Sequence, residues 1–256
     1  RQKRHHWLTI GAFRPRARIR VTTLESQHIR HQDSKPPKAV QPHLNKAFEG
    51  ITKVKFEKDL KISQMISQET ETVPLIKFVD PESGENKGNV ERWLLELESM
   101  QWDTVRSEVE KSKAEFPTIP RTEWMVRWPA QVILLVSQIF WTRDVGKCIR
   151  ERGCDGVAEF AKAWDEEINK TVKAVQEMGK AQISKQERKL RMKTLGALTV
   201  IDVHARETMG KMVKVGLSEI TDFEWVSQLR YYWEEDIDDC AIRQTNTFFR
   251  YGYEYL

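Results

Sequence analysis

Glycine-rich loops are missing from this 256-residue chain. It has 12 glycines, and none stands in a G-x-x-x-x-G-K-[ST], G-x-G-x-x-G or G-x-S-x-G pattern. Gly146-Lys147, Gly179-Lys180 and Gly210-Lys211 each lack the earlier glycine and the following hydroxyl of a phosphate-cradling loop. Cysteine is scarce as well. Cys148, Cys154 and Cys240 are too few and too irregular for a disulfide framework, which points to a reducing, intracellular setting. Cys148 and Cys154 have five residues between them and no histidine at ligand spacing, which argues against a zinc site. Long apolar runs are absent too. The most apolar stretch, Val132 to Trp141, is short of the roughly 18 residues of a membrane span and carries Ser137 and Gln138. The start, Arg1 to His6, is basic but leads into no apolar signal region.

With 39% hydrophobic and 31% charged residues, the chain can build a core, and global disorder is excluded. The net charge of +4 is unevenly placed. Residues 1–35 hold nine Lys or Arg against two Asp or Glu, a balance of +7 that leaves −3 for residues 36–256. The leading segment lacks clean periodicity, and its arginines Arg14, Arg16, Arg18 and Arg20 repel one another, so it reads as basic, atypical and poorly ordered.

From Pro36-Pro37 the pattern turns helical. Val40, Leu44, Ala47 and Phe48 supply an i, i+3/i+4 stripe that Gly50 stops. Short β-rich runs between Ile51 and Phe78 predict a small antiparallel unit, and Asp80 to Gly88 reads as a loop. Asn89 is placed to cap a helix carrying Val90, Trp93, Leu94, Leu97 and Val105, which Pro117 and Pro120 end. Pro129 opens a helix running to about Cys148, and Phe160 to Val175 forms another. Ser184 and Glu187 make a capping-box pattern at the head of a long helix through Leu198, Ile201 and Met212. Asp222 is a candidate cap for a helix from Phe223 to Tyr232, and Cys240 to Leu256 reads as an extended tail. The predicted fold is mainly α: an elongated helical bundle with a small antiparallel β unit near residues 51–78 and an extended C-terminal tail. Eight of the nine tryptophans lie between Trp93 and Trp233, nearly all in these helices, so they stiffen the bundle by filling its core.

The constellation closest to an enzyme's is Asp202, His204, Arg206 and Glu207. Consecutive helical residues point in different directions, which separates His204 from its neighbours, while Asp202 and Arg206 share a face as an i, i+4 ion pair would. A structural histidine is preferred over a catalytic base. The acidic run Glu234, Glu235, Asp236, Asp238 and Asp239 reads as a solvated loop rather than a cation site.

Read in order, several motifs resemble dynein heavy chains of the axonemal, inner-arm type. Val40-Gln41-Pro42-His43-Leu44 opens the series, and Gly88-Asn89-Val90-Glu91-Arg92-Trp93-Leu94 follows. Arg121-Thr122-Glu123-Trp124, Trp128-Pro129-Ala130-Gln131-Val132 and Trp141-Thr142 come next. Ala197 to Arg206, which includes Asp202, His204 and Arg206, is nearly verbatim, with Glu207 where Asp is usual. Asp222-Phe223-Glu224-Trp225, Arg230-Tyr231-Tyr232-Trp233 and the terminal Tyr251-Gly252-Tyr253-Glu254-Tyr255-Leu256 complete it. The resemblance covers residues 37–256, and the Arg-rich residues 1–35 depart from it.

The resemblance implies the C-terminal part of the linker, a helical lever arching over a ring of AAA+ modules, just ahead of the first module. Residues 36–236 would be linker and 237–256 the lead-in to that module. The signature residues would be structural, with no catalytic, cofactor or metal role. ATP and magnesium would bind in the AAA+ modules and not in this segment. Implied partners are the AAA+ ring of the same heavy chain and, through the rest of the parent, intermediate and light chains and microtubules, with no membrane or nucleic acid. The implied place is the cytoskeleton, in the axoneme of a cilium or flagellum. Asp80–Gly88 and Phe116–Pro120 are candidate hinges. Two other readings stand beside this one: a basic binding module for microtubules or nucleic acid using residues 1–35, and an enzyme centred on His204.

Overall fold

The computed structural model describes residues 36–180 and 182–256. The basic segment 1–35 lies outside them. The chain is mainly α with two small antiparallel sheets, and it divides into two compact units. One comprises the residues up to Glu110 together with Gly252–Leu256, and the other is Lys111–Tyr251.

The first unit opens with a 3-10 helix, Pro37–His43, that passes into the single turn α1, Leu44–Ala47. The expected amphipathic helix is thus mostly 3-10, because Pro42 has no N–H for an i−4 bond. Its stripe is real: Val40, Leu44 and Phe48 are buried. Strands β1 (Lys53–Phe56), β2 (Ile62–Ile66) and β3 (Thr72–Val79) follow as an antiparallel meander in the order β1-β2-β3. Val54, Ile62, Met65, Val73, Leu75 and Val79 form its buried side.

The edge strand β1 is closed by a side chain. Gln41 Nε2 donates to Val54 O at 2.8 Å, and Val54 N donates to Gln41 Oε1 at 3.1 Å. A primary amide matches a peptide group donor for acceptor, so Gln41 does what a fourth strand would do at an otherwise open edge. Asn89 caps α2 (Val90–Glu115) as expected, with Arg92 N donating to its Oδ1 at 3.1 Å. Trp93, Leu94, Leu97 and Val105 are buried. The last residues of the chain dock in this unit. Tyr255 is 1% exposed, and its hydroxyl donates to Glu71 Oε2 at 2.7 Å. A Cβ on Gly50 would sit 2.2 Å from Tyr255 O, so the glycine is what lets that segment approach.

In the second unit come α3 (Arg121–Trp124), α4 (Ala130–Lys180), α5 (Lys185–Val215) and α6 (Phe223–Val226). The two helices expected from Pro129 to Val175 are joined as α4 and broken only at Gly153, where φ 55 and ψ −134 leave the helical region. Just beyond, a Cβ on Gly156 would meet Cys148 O at 2.8 Å, so the kink depends on glycine twice. Ser184 caps α5, its Oγ accepting from Glu187 N at 3.1 Å, and Gly216 in the left-handed conformation ends it. Cys154 Sγ reaches Val213 O at 3.5 Å, and Trp164 Nε1 reaches Asp202 O at 3.2 Å, so α4 and α5 run antiparallel as a hairpin.

The helix expected from Phe223 to Tyr232 is not found over its whole length. It stops at Val226, and Arg230–Glu234 is a strand, β4, which pairs antiparallel with β5 (Asp239–Gln244) and then β6 (Thr247–Arg250). Aromatic side chains suit a half-buried pleated surface, and Tyr231 N is tied to Thr142 Oγ1 of α4 at 3.0 Å. The tail is extended, as expected, but as far as Arg250 it forms the rest of this sheet. Asp222 stands at the N-cap of α6 without capping it. Its carboxylate accepts from Ser218 N and Glu219 N at 2.8 and 3.0 Å instead, which holds its pKa below the ordinary carboxylate value. The acidic residues Glu235 to Asp238 are exposed at the β4–β5 turn.

Candidate functional site: a buried arginine–aspartate clamp

Arg121 and Asp202 bring opposite charges together inside the second unit, with side chains 8% and 0% exposed. Arg121 opens α3, directly after Pro120, whose ring fixes the chain for a helix start. Asp202 lies on the inner face of α5, between the buried Leu198 and Ala205. The two meet in a bidentate fork: Nη1 donates to Oδ2 at 2.9 Å and Nη2 to Oδ1 at 2.8 Å. Nη2 also donates to Ser137 Oγ at 3.0 Å and Nη1 to Thr171 Oγ1 at 3.4 Å, both on α4. The guanidinium lies 5.0 Å from the centre of the Trp164 ring. Three helices therefore converge on one cation.

Burial pushes the Asp202 carboxyl up from its ordinary value, and the charge and hydrogen bonds of Arg121 pull it back. Both carboxylate oxygens accept from Arg121, so the arrangement fixes geometry and offers no unengaged base. The Asp202–Arg206 pairing read from the i, i+4 spacing is replaced. Arg206 pairs with Asp165 of α4 at 3.0 Å on a part-exposed face, because Asp202 turns inward to Arg121. His204 is exposed on α5.

The other signature residues brace the same unit. Trp124 is fully buried, donating to Ser112 Oγ at 2.9 Å, and its ring meets Phe116 edge-on at 4.7 Å. Trp128 Nε1 donates to Glu115 Oε2 at 2.7 Å, just before Pro129 leads into α4. Gln131 Nε2 donates to Tyr251 OH at 2.8 Å. Trp141 and Trp225 lie 5.8 Å apart in a core that also holds Val145, Ile149, Met209 and Met212. Arg230 donates to Val226 O at 3.2 Å and to Tyr232 OH at 3.3 Å, and Lys113 Nζ sits 4.1 Å over the Trp233 ring.

In the first unit, Gln41 closes the sheet edge, Trp93 is buried in α2, Pro42 is exposed and His43 half-buried. Tyr253 is buried with φ 50, and Glu254 lies near Glu98, whose pKa is raised by burial and then by Glu254. Reasoning from sequence missed Ser137, Thr171 and Trp164 as partners of the clamp, since a serine, a threonine and a tryptophan on helix faces carry no motif.

All three cysteines are free thiols. Among the described residues no group of three His, Cys, Asp or Glu side chains is placed to hold a metal ion, and no helix is long and apolar enough to cross a membrane.

A family model described as dynein heavy chain, N-terminal region 2, matches residues 30–112. The chain is 41% identical over 224 residues to dynein axonemal heavy chain 3 of Mus musculus, covering 88% of this chain and 5% of that protein. To dynein axonemal heavy chain 12 of Homo sapiens it is 39% identical, covering 88% of this chain and 7% of that protein. To dynein axonemal heavy chain 1 of Mus musculus it is 39% identical over 223 residues, covering 87% of this chain and 5% of that protein. The chain thus spans a small fraction of the length of these relatives, and it belongs to the dynein heavy chain family, with its similarity running to axonemal members.

Proposed function

We propose that this segment is part of the linker of an axonemal dynein heavy chain, a lever without catalysis of its own. It couples the nucleotide state of a neighbouring AAA+ ring to movement of the tail. The observation that carries this reading is the Arg121–Asp202 clamp, in which a bidentate pair fastens α3 to α5 with α4 supplying two hydroxyls. A lever must transmit displacement without absorbing it. A buried bidentate pair adds a directional constraint on distance and orientation to the close packing of the helices. ATP and magnesium belong to the AAA+ modules of the parent chain. Its other partners are intermediate and light chains and microtubules, and its place is the axoneme of a cilium or flagellum.

Of the two candidate hinges, Phe116–Pro120 is braced by the stacking of Phe116 on Phe140 at 4.2 Å and by Trp124 and Trp128, which favours Asp80–Gly88. Gly84 and Gly88 there have φ 53 and 70, which alanine adopts only with strain. Placing Gly84→Ala and Gly88→Ala together in the full motor tests this. The expected result is slower microtubule gliding and a shifted linker-position FRET distribution. Unchanged velocity with unchanged FRET removes the hinge from that loop.

A further inference from the structure

The end of the α4–α5 hairpin is unlike the rest of it. Between Thr171 and Thr194, both buried, none of the described residues is buried. The apolar stripe of both helices nevertheless continues into this end. Val175, Met178, Ile183 and Leu190 are only half-buried, and Val172 and Met192 are 37% and 38% exposed. Two antiparallel helices cannot cover their own seam; a third surface is needed, and none of the described residues of the unit supplies it.

The same end is strongly basic. Residues 172–193 contain Lys173, Lys180, Lys185, Arg188, Lys189, Arg191 and Lys193 against Glu177 and Glu187, a balance of +5 in a body of opposite net sign. Arg191 is engaged by Glu187 at 2.6 Å, and the lysines at 173, 180, 185 and 189 are exposed. Holding like charges this close around an incompletely covered apolar seam is unfavourable in isolation, and an acidic partner relieves both defects at once.

We propose that the tip of the α4–α5 hairpin is a docking surface for an acidic protein segment that carries an apolar stripe, such as an acidic amphipathic helix. The apolar stripe covers the seam at Val172, Ile183 and Met192, and its carboxylates meet the lysine rim. Met178 and Met192 supply side chains that adapt to a partner's contour. A nucleic acid fits less well, because residues 172–193 contain no aromatic side chain on which bases stack. Binding to this tip is independent of the lever reading, since a rigid segment of any function presents it.

The test uses the whole chain and a fluorescein-labelled peptide of glutamate and leucine with one apolar face, about five helical turns long. Fluorescence anisotropy at low salt is expected to show binding that weakens roughly tenfold in the Lys185→Glu, Lys189→Glu double variant, a change of about 1.4 kcal/mol. Lys185→Gln with Lys189→Gln gives a smaller loss in the same direction and guards against misfolding of the reversed variant. Met192→Ser weakens the glutamate–leucine peptide and leaves binding of poly-glutamate unchanged. The proposal is overturned if the peptide fails to bind, if it binds both lysine variants as it binds the parent, or if vesicles of phosphatidylserine or a single-stranded RNA bind the tip more tightly than the peptide.

Discussion

The base and the tip of the α4–α5 hairpin are built from the same two helices with the same apolar periodicity, yet they differ in every physical respect. At the base Trp164, Ile168, Leu195 and Leu198 are buried, and a bidentate ion pair sits among them. At the tip no described residue between 172 and 193 is buried, and the charge is +5. The difference lies beside the helices. The base is flanked by Arg121, Leu217 and Trp225 from other elements, and the tip has none of these. An apolar stripe specifies which face of a helix seeks cover, and only a neighbouring element decides whether the cover exists.

The largest test of this contrast removes the charge at the base. Asp202→Ala leaves the Arg121 guanidinium buried without its counterion and is expected to cost about 3–5 kcal/mol, read as a lower urea midpoint. Replacing both partners, Arg121→Met with Asp202→Leu, should restore most of that stability. A single-variant loss below about 1 kcal/mol would demote the clamp to an ordinary surface-type pair.

Next comes a pair of truncations that compare the two ends directly. Leu198→Ala at the base is expected to cost about 2–5 kcal/mol, because a fully buried side chain leaves a cavity. Met192→Ala at the tip should stay within about 0.5 kcal/mol. Equal losses would erase the distinction between base and tip.

A smaller effect is expected in alkali. Burial raises the pKa of Tyr231 and Tyr251, which are tied to Thr142 and Gln131 in the first part of α4, above the ordinary 10.0. Unfolded, these phenols ionise near their ordinary value; folded, they hold their protons. Their contribution to stability is therefore intact below pH 10 and declines as pH rises above it, by at most about 1.4 kcal/mol per tyrosine per pH unit. Urea midpoints measured across this range should fall, and Tyr231→Phe should flatten the fall. A flat profile in the unaltered chain would mean that these hydroxyls reach solvent.

How far the sequence discloses this molecule varies with the range of the interaction. Caps and breaks were legible because they are local: Asn89 at the head of α2, Ser184 at the head of α5, and the β meander between Ile51 and Phe78. The stripe Val40, Leu44, Ala47 and Phe48 predicts an amphipathic helix, and the missing N–H of Pro42 turns most of that segment to 3-10. The helix expected from Phe223 to Tyr232, with Asp222 as its candidate cap, ends at Val226. The pairing of Arg230–Glu234 with Asp239–Gln244 is a contact between strands that no local window contains. Asp222 looked like a helix cap, and the loop before it competed successfully for its oxygens.

The site divides in the same way. Arg121 and Asp202 were both visible as members of motifs, but Asp202 was assigned to Arg206, its neighbour one turn away, and not to an arginine 81 residues distant. Sequence by itself determined the helices, their buried faces, the small sheet near residue 60 and the family, because periodicity, caps and motif order are properties of neighbouring residues. Tertiary structure alone decided that Arg121 meets Asp202, that Gln41 stands in for a strand, and that one end of a hairpin is covered while the other is bare. Each of those depends on which surfaces come together between residues distant in sequence, and the energy of a buried charge or an uncovered stripe is set by that company.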